Sequence, residues 1–151
     1  DPIDGTGTAI HSAKSFLTSD RFLVVNGDDL YTKEDLTALA GLQRGILAWK
    51  SGSDTANGLV LNSLGNLEGM TDPGQSSQVV NCGAYVLDQN YFSYPLEEII
   101  VHGQVEYSLP HTLCKQAEKH IVEVAYAHFW QPIGTPEQLL QAEKMLGSLE
   151  K

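Results

Sequence analysis

Cationic side chains and cysteines are scarce in this sequence, and each scarcity excludes a class of protein. Nine Lys and Arg residues stand against nineteen Asp and Glu residues, which gives a formal net charge of −10. Nucleic-acid backbones and anionic membrane surfaces are bound by clustered Lys and Arg, so we expect neither as a partner. The two cysteines, Cys82 and Cys114, are too few for a disulfide framework and are predicted to be buried free thiols.

Long apolar runs are also missing. No run approaches the ~20 residues of a membrane span, and no signal peptide opens the chain. Together with the free thiols, this favours a cytoplasmic protein that has no membrane partner. The first residue is Asp1 rather than Met, so processing or trimming stays open. With 42% hydrophobic residues, the 151-residue chain is suited to one domain with its own core.

The apolar patterns in the first third of the chain alternate between helix and strand, which is typical of an α/β fold. Residues 8–17 place apolar side chains on one helical stripe. The apolar runs 22–25 and 46–49 are typical of strands buried on both faces, as in a parallel sheet. Thr32, with Asp35 three residues later, predicts a capped helix to about Leu39.

The middle of the chain is rich in predicted strands. Residues 57–61 and 67–70 are two short strands joined by a polar turn. Residues 79–87 are predicted as a strand that Gly83 interrupts, and the β-branched stretch 121–126 is apolar.

Two further helices are predicted near the end of the chain. Residues 109–119 have helical spacing, and Pro110 restricts the helix to starting there. Thr135 caps the last helix, Pro136 suits its first turn, and Gln138 completes a capping box. One apolar face of that helix is formed by Leu139, Ala142, Leu146 and Leu149.

The first candidate site is a glycine-rich segment, Gly5-Thr6-Gly7-Thr8-Ala9, at the start of the first helix. Glycines allow a backbone to approach a ligand closely, and the start of a helix offers free N–H groups. A glycine-rich turn before a helix is more often only a turn, so the segment alone leaves both interpretations open.

The second candidate is Asp28, with Asp29 beside it, directly after the apolar run 22–25. In open α/β sheets, ligands bind beyond the carboxyl ends of strands. A carboxylate there can hold Mg²⁺, which neutralises phosphate oxygens. A turn aspartate that accepts backbone N–H groups is an equally good interpretation.

The third candidate is Asn81 together with Gly83. A glycine inside a strand marks the close approach of a ligand or of another backbone. The amide of Asn81 has both donors and an acceptor, which suits sugar hydroxyls. The alternative is a strand-edge asparagine beside a packing glycine.

The fourth segment, residues 129–136, is locally only a turn into the last helix. The five histidines have no metal-ligand spacing and are interpreted as surface or core residues.

Taken in order, these four segments resemble the sugar-1-phosphate nucleotidylyltransferase family, which joins a nucleoside triphosphate to a sugar 1-phosphate. Residues 5–9 resemble its GTG/GTA-x-A loop, and Gly27-Asp28 resembles the GD that ends an apolar strand. The family's N-x-G-x-Y strand corresponds to Asn81, Gly83 and Tyr85. Its W-x-D-I-G-T-P segment corresponds to Trp130, Ile133, Gly134, Thr135 and Pro136.

The resemblance runs from about Gly5 to Leu146 and implies a Rossmann-like α/β sheet flanked by helices, N-terminally truncated, in one partial domain spanning residues 1–151. The reaction it implies is a single displacement, in which the sugar phosphate attacks the α-phosphorus and pyrophosphate leaves. By resemblance, Asp28 is the catalytic carboxylate that binds Mg²⁺. The nucleotide would be contacted by Gly5, Thr6, Gly7 and Thr8, and the sugar by Asn81, Gly83 and Glu106.

Three departures from the family lower the activity expected of this chain alone. The N-terminal G-x-G-T-R-x-x-P…P-K segment is absent, because the sequence begins after its place. Asp72, in residues 71–73, replaces the Lys of an E-K-P element, and Pro132 replaces the Asp of W-x-D. We therefore expect weak or no transfer, and a homo-oligomer or a partner that supplies the missing segment. The alternative is a non-catalytic sugar-nucleotide-binding protein or an interaction module.

Overall fold

The fold is seen in a computed structural model that describes residues 5–55, 58–72 and 74–149. Asn57, predicted to begin a strand, and Pro73, predicted to lie in a loop, fall outside the described residues. The side chains of Leu146 and Leu149, predicted to line the last helix, are also outside that description.

Helices and strands alternate at both ends of the described chain, and strands dominate its middle. In chain order the elements are α1 (Thr6–Ala13), β1 (Arg21–Val25), β2 (Asp29–Tyr31), α2 (Lys33–Ala40), β3 (Gly45–Thr55), β4 (Leu59–Leu61), β5 (Leu67–Met70), β6 (Ser77–Asp88), β7 (Glu97–Val101), β8 (Gln104–Ser108), α3 (Leu109–Ala117), β9 (Glu123–Tyr126), β10 (Trp130–Pro132) and α4 (Pro136–Leu149). Short 3₁₀ turns cover Lys14–Phe16 and Gln89–Ser93.

The central sheet has four strands in the order β1-β6-β3-β9. Strands β1 and β3 are antiparallel to β6, whereas β9 is parallel to β3. The remaining strands form three antiparallel pairs, β2 with β10, β4 with β5 and β7 with β8. This mixed sheet with flanking helices agrees with the fold class that the resemblance implied.

Strands β3 and β6 form the core because both of their faces are covered. On one face, Ile46 and Tyr85 join a buried cluster with Leu113 of α3. On the other face, Leu47 and Val86 pack with α2, in the cluster that also contains Leu39, Cys82 and Ala84. Alternate side chains of a strand point to opposite faces, so continuous apolar runs are required where both faces are buried. The prediction of a buried strand at residues 46–49 is confirmed.

The prediction that residues 22–25 form a parallel strand buried on both faces is wrong. The strand β1 runs antiparallel to β6, from Arg21 opposite Asp88 to Val25 opposite Ala84. Leu23 and Val25 are 40% and 45% exposed, while Phe22 and Val24 pack against the core. A four-residue apolar run has the same sequence pattern whether or not a second layer covers it, so the pattern could not distinguish the two cases.

Two strand pairs were not predicted. The strands β7 and β8 form a hairpin closed by His102 and Gly103, whose φ angles of 50° and 79° are those of a type I′ turn. Residues 130–132, predicted as part of a turn, form β10 instead and pair with β2. A three-residue strand that contains proline has no periodic signal of its own and depends on its partner.

The predicted helix caps are present. Thr32 Oγ1 accepts the backbone N–H of Asp35 at 3.1 Å, and Thr135 Oγ1 accepts that of Gln138 at 3.2 Å. The first helix is shorter than predicted, because α1 ends at Ala13 and the side chain of Phe16 is 82% exposed. In α4, Ala142 is buried as predicted but Leu139 is 47% exposed.

Both cysteines are free thiols, as predicted; Cys82 is buried and Cys114 is half-buried. Burial, with the Asp29 and Asp35 carboxylates nearby, raises the pKa of the Cys82 thiol to about 12. Burial also raises the pKa of Cys114 to about 12. Among the described residues, every helix is too short or too polar to cross a bilayer.

Strand β6 continues through Gly83 instead of stopping there, because the glycine adopts a φ of 72° that a side chain would disfavour. A Cβ at this position would lie 2.1 Å from Nδ2 of Asn26, which follows β1. Asn81 fixes the same bend, since its Oδ1 accepts the N–H of Gly83 at 2.9 Å. The close approach that the sequence predicted at Gly83 is therefore made, at least in part, by the chain's own Asn26.

We predict that Gly83→Ala lowers the free energy of unfolding by about 2 kcal/mol or more, from the left-handed backbone and the steric overlap with Asn26. Gly69→Ala is the matched control in β5, since its Cβ would meet only Val60, at 3.9 Å. Urea denaturation of the two variants measures the difference. Equal stability of both variants would contradict this account of Gly83.

Candidate functional site at the carboxyl end of β1

The segment after β1 is fixed against the bend in β6. The backbone N–H of Asn26 donates to the carbonyl oxygen of Gly83 at 2.9 Å, and the Asn26 side chain occupies the space that a larger residue at position 83 would need. The Asn26 amide also donates to Asp29 Oδ2 at 3.3 Å. These contacts hold Gly27 and Asp28 at the end of the strand, where the sequence predicted a ligand site.

The two neighbouring aspartates have different environments. Asp29 Oδ2 lies 3.3 Å from the Asn26 amide and 3.2 Å from the Tyr31 hydroxyl, so this carboxylate is part of the local structure. The single proton of the Tyr31 hydroxyl is shared between Asp29 and the carbonyl oxygen of Cys82, which is nearer at 2.6 Å. Burial, and then the Asp29 carboxylate, raise the pKa of Tyr31, which therefore stays a neutral donor. In the described chain, Asp28 is exposed and its side chain makes no hydrogen bond or ion pair.

Strand β10 lies directly beside these aspartates. Pro132 is opposite Asp29 in the β2–β10 pairing, and the next residue, Ile133, donates its backbone N–H to the carbonyl oxygen of Asp28 at 2.9 Å. Two segments about a hundred residues apart in sequence are thus adjacent. The position where the family resemblance places a second metal-binding Asp is beside Asp28, and here it is occupied by proline.

Asp35 of α2 determines where β10 begins. Its buried carboxylate accepts the backbone N–H groups of His128 and Phe129 at 3.0 and 3.2 Å, and lies 2.6 Å from His128 Nδ1. Only 2% of its side chain is exposed, whereas that of His128 is 89% exposed. The two backbone hydrogen bonds are shielded from water, so we assign most of the stabilisation to them rather than to the ion pair.

The charge of Asp35 is stabilised by these contacts. Burial alone would raise the pKa of this carboxyl, but hydrogen bonds from His128, Thr32 and two backbone N–H groups outweigh burial and lower it. Asp35 is consequently ionised at neutral pH. The sequence reasoning assigned it only a capping position and assigned His128 no role, because their contact joins residues that are far apart in the chain.

The donor set at Asp28 fits Mg²⁺ only in part. Within the described part of the chain, no group of three His, Cys, Asp or Glu side chains could hold a metal ion. Mg²⁺ is, however, usually held by one or two carboxylates together with substrate phosphates and water. Asp28 is available for that kind of coordination, whereas Asp29 is engaged and Pro132 has no donor side chain.

The predicted nucleotide loop lies against β8 and the start of α3. Gly5 has a φ of 89°, and a Cβ there would be 2.5 Å from the Tyr107 carbonyl oxygen and 3.1 Å from Glu106 Cβ. Thr6 Oγ1 accepts the backbone N–H of Leu109 at 3.0 Å. Gly7 is also tightly packed, with Tyr107 and Leu96 about 3.1 Å from its missing Cβ. The structure therefore joins this loop with Glu106, one of the predicted sugar contacts.

The predicted site residues thus fall into two groups of contacts. Asn26, Asp28, Gly83 and Pro132 surround the end of β1, and residues 5–8 adjoin Glu106. Asn81 belongs to the first group, but its amide is committed to the bend: Oδ1 accepts the N–H of Gly83, and Nδ2 donates to the Tyr85 hydroxyl at 2.7 Å. Asp72 belongs to neither group and lines a separate cavity next to β7.

Comparison with protein-family models gives no match, and neither does comparison with curated proteins. Solved structures do match. The inositol-1-phosphate CTP transferase from T. maritima gives a TM-score of 0.75 at 18% identity, over 97% of this chain and 62% of that one. For apo-UDP-glucose pyrophosphorylase the TM-score is 0.77 at 16% identity, over 100% of this chain and 63% of that one.

A putative glucose-1-phosphate thymidylyltransferase from Bacillus anthracis, in complex with a sucrose, gives a TM-score of 0.69 at 18% identity, over 96% of this chain and 62% of that one. The fold that the sequence resemblance implied is confirmed by these three structures. The chain spans less than two thirds of the length of each of them.

We predict that Asp35→Asn lowers the free energy of unfolding by about 2 kcal/mol at pH 7, because an amide NH₂ would face backbone N–H groups that now donate to a carboxylate. The exposed neighbour Glu34→Gln is the matched control. Since folding lowers the pKa of Asp35, its contribution is complete above the unfolded value of ~3.9 and is lost as pH falls through the folded pKa.

Urea denaturation at several pH values measures this dependence. The difference between the wild-type protein and Asp35→Asn should shrink below about pH 4. A difference that grows on acidification, or an equal loss in Glu34→Gln, would show that the Asp35 carboxylate does not hold β10.

Proposed function

We propose that this chain belongs to a nucleotidylyltransferase, which transfers a nucleotidyl group from a nucleoside triphosphate to a sugar 1-phosphate and releases pyrophosphate. The observation that carries the proposal is the position of Asp28. Its exposed carboxylate follows the edge strand β1, which is bonded to Gly83 through Asn26, and its backbone is bonded to Ile133, the residue after Pro132. Three separate family motifs, distant in sequence, thus meet at the end of β1. The shared fold is consistent with this assignment but extends over only part of the similar structures.

In this proposal the protein acts mainly by positioning two anionic substrates for in-line displacement. Asp28 holds the metal-bound end of the nucleotide, and bound Mg²⁺ supplies neutralisation of phosphate charge. The N-terminal end of α1, at residues 5–8, lies against the nucleotide, and Glu106 beside it orients the sugar through its hydroxyls. Asn81 and Gly83, at the bend of β6, are the other proposed sugar contacts.

Low activity is proposed for the chain alone because, among the described residues, no Lys or Arg forms an ion pair with the carboxylates at the proposed phosphate site. The ion pairs of the described residues involve Asp35, Asp88 and Glu118, and none brings a cation to Asp28 or Asp29. Pro132 provides no second carboxylate for a metal ion, and Asp72, which stands at the place of the family's Lys, supplies no positive charge and lies in a separate cavity. These two residues also favour the second candidate, a protein that binds a sugar nucleotide without catalysis.

Thermal denaturation and pyrophosphate release together test the function. With Mg²⁺ and a nucleoside triphosphate at about ten times Kd, binding should stabilise the protein by about 1.4 kcal/mol and raise Tm by about 3–5 °C. Sugar ligands alone would raise Tm if the protein is a non-catalytic sugar binder, and neither would do so for an interaction module. Mg²⁺-dependent release of pyrophosphate by the isolated chain would contradict the proposed low activity.

The variant Pro132→Asp tests the proposed metal site by a gain of function. A second carboxylate beside Asp28 should tighten Mn²⁺ binding about tenfold or more, because affinity rises with the number of charged ligands. Gln104→Asp is the matched control, since it adds a carboxylate at an exposed position of β8, outside the β2–β10 pair. Equal Mn²⁺ affinity in the two variants would show that position 132 does not adjoin the metal site.

We also propose that a second copy of the chain, or a partner polypeptide, covers the outer edge of β1. In the described chain this edge pairs with no strand, and Leu23 borders an open groove of about 530 Å³ with Tyr31 and Leu36. An edge strand that has no proline, and whose one charged residue, Arg21, is at its start, is prone to pairing with another chain.

Light scattering at a protein concentration of tens of micromolar should therefore show self-association of the wild-type chain. The double variant with Leu23→Lys and Val25→Lys should associate less. Ile121→Lys is the control, because Ile121 is 66% exposed but lies outside β1. A wild-type monomer at this concentration, or an equal effect of Ile121→Lys, would contradict pairing through β1 between copies.

A further inference from the structure

The outer edge of β7 borders the β7 groove, a cavity of about 650 Å³ that contains none of the predicted site residues. All five residues of Glu97–Val101 line this groove. The facing wall includes Met70, Thr71 and Asp72, and α3 contributes His111, Cys114 and Lys115. Among the described residues, β7 pairs only with β8, so its other edge is open to the groove.

The register of the hairpin shows which backbone groups face the groove. Val101 and Gln104 flank the two-residue type I′ turn, so they form a hydrogen-bonded pair. Pairs alternate along an antiparallel ladder, which makes Glu98–Tyr107 and Ile100–Val105 non-hydrogen-bonded pairs. The N–H and C=O groups of Glu98 and Ile100 therefore point away from β8 and towards the groove, in the spacing that an added strand requires.

The charge of the groove is negative. Carboxylates of Asp72, Glu97 and Glu98 line it, and Lys115 is the cation among its lining residues. The Lys115 ammonium is already paired, 3.2 Å from Glu118 Oε1. Along β7 the carboxylates of Glu97 and Glu98 are followed by three apolar residues, so the groove is acidic at one end of the strand and apolar at the other.

We propose that the β7 groove binds an extended basic segment of a partner protein, which adds as a strand along β7. Hydrogen bonds between the segment's main chain and the backbones of Glu98 and Ile100 supply affinity that does not depend on the segment's sequence. Other cases of strand addition work in the same way. Lys or Arg side chains of the segment are selected by the carboxylates of Asp72, Glu97 and Glu98, whereas an acidic segment is repelled. This binding does not depend on nucleotide, sugar or metal at the Asp28 site.

Fluorescence polarisation with two capped, fluorescein-labelled hexapeptides tests the proposal. One alternates Val with Lys and the other alternates Val with Glu. The basic peptide should bind at least about tenfold more tightly at low salt, and its binding should weaken as ionic strength rises. Equal affinity for the two peptides, or no binding of the basic peptide, would overturn the proposal.

Ile100→Pro tests whether the peptide pairs with the backbone, because it removes one N–H that faces the groove without breaking the ladder to β8. Val105→Pro is the matched control: it lies opposite Ile100 in the same hairpin, but its N–H points away from the groove. Ile100→Pro should weaken the basic peptide at least about fivefold more than Val105→Pro does. An equal effect of the two variants would contradict strand addition.

Glu98→Gln tests the charge of the groove independently of the backbone. It should reduce affinity for the basic peptide and flatten the salt dependence. Glu68→Gln, at an exposed position of β5 that does not line the groove, is the control and should leave both unchanged. If Glu68→Gln has the same effect as Glu98→Gln, the binding reflects the net charge of the chain rather than the groove, and the proposal is wrong.

Discussion

The hydrogen bonds of the Asp35 carboxylate are the constraint on which the candidate site depends. By accepting N–H groups of His128 and Phe129, Asp35 connects α2 to the start of β10. The strand β10 then pairs with β2, which places Pro132 opposite Asp29 and Ile133 against the backbone of Asp28. A buried carboxylate is favourable here because backbone N–H groups replace its lost hydration.

The other side of the site depends on a residue without a side chain. Gly83 lets β6 bend so closely to Asn26 that a Cβ would not fit, and Asn26 then contacts Asp29. The Asp29 carboxylate therefore forms hydrogen bonds with Asn26 and Tyr31 within the fold, whereas Asp28 remains exposed. The same bend that brings β6 against the end of β1 thus separates the roles of two adjacent aspartates, one structural and one available to a ligand.

How much of this could be predicted from sequence depends on the range of each interaction. The caps at Thr32 and Thr135 and the buried strand at residues 46–49 are local or periodic features, and they were predicted. The antiparallel direction of β1 and the pairing of β10 depend on partners about sixty to a hundred residues away, and no local pattern contains that information. The family resemblance predicted the fold and identified Asp28 as the candidate metal-binding residue. No sequence motif predicts the contact between Asp35 and His128.

The central claim is that Asp28 binds the metal-bound nucleotide while Asp29 supports the fold. The most direct measurement compares Tm for the wild-type protein, Asp28→Asn and Asp29→Asn, each with and without Mg²⁺ and a nucleoside triphosphate. The account predicts that Asp28→Asn keeps the wild-type Tm but loses the increase on ligand addition, whereas Asp29→Asn has a lower Tm without ligand. A wild-type protein that shows no increase, or an Asp28→Asn variant that keeps it, would contradict the account.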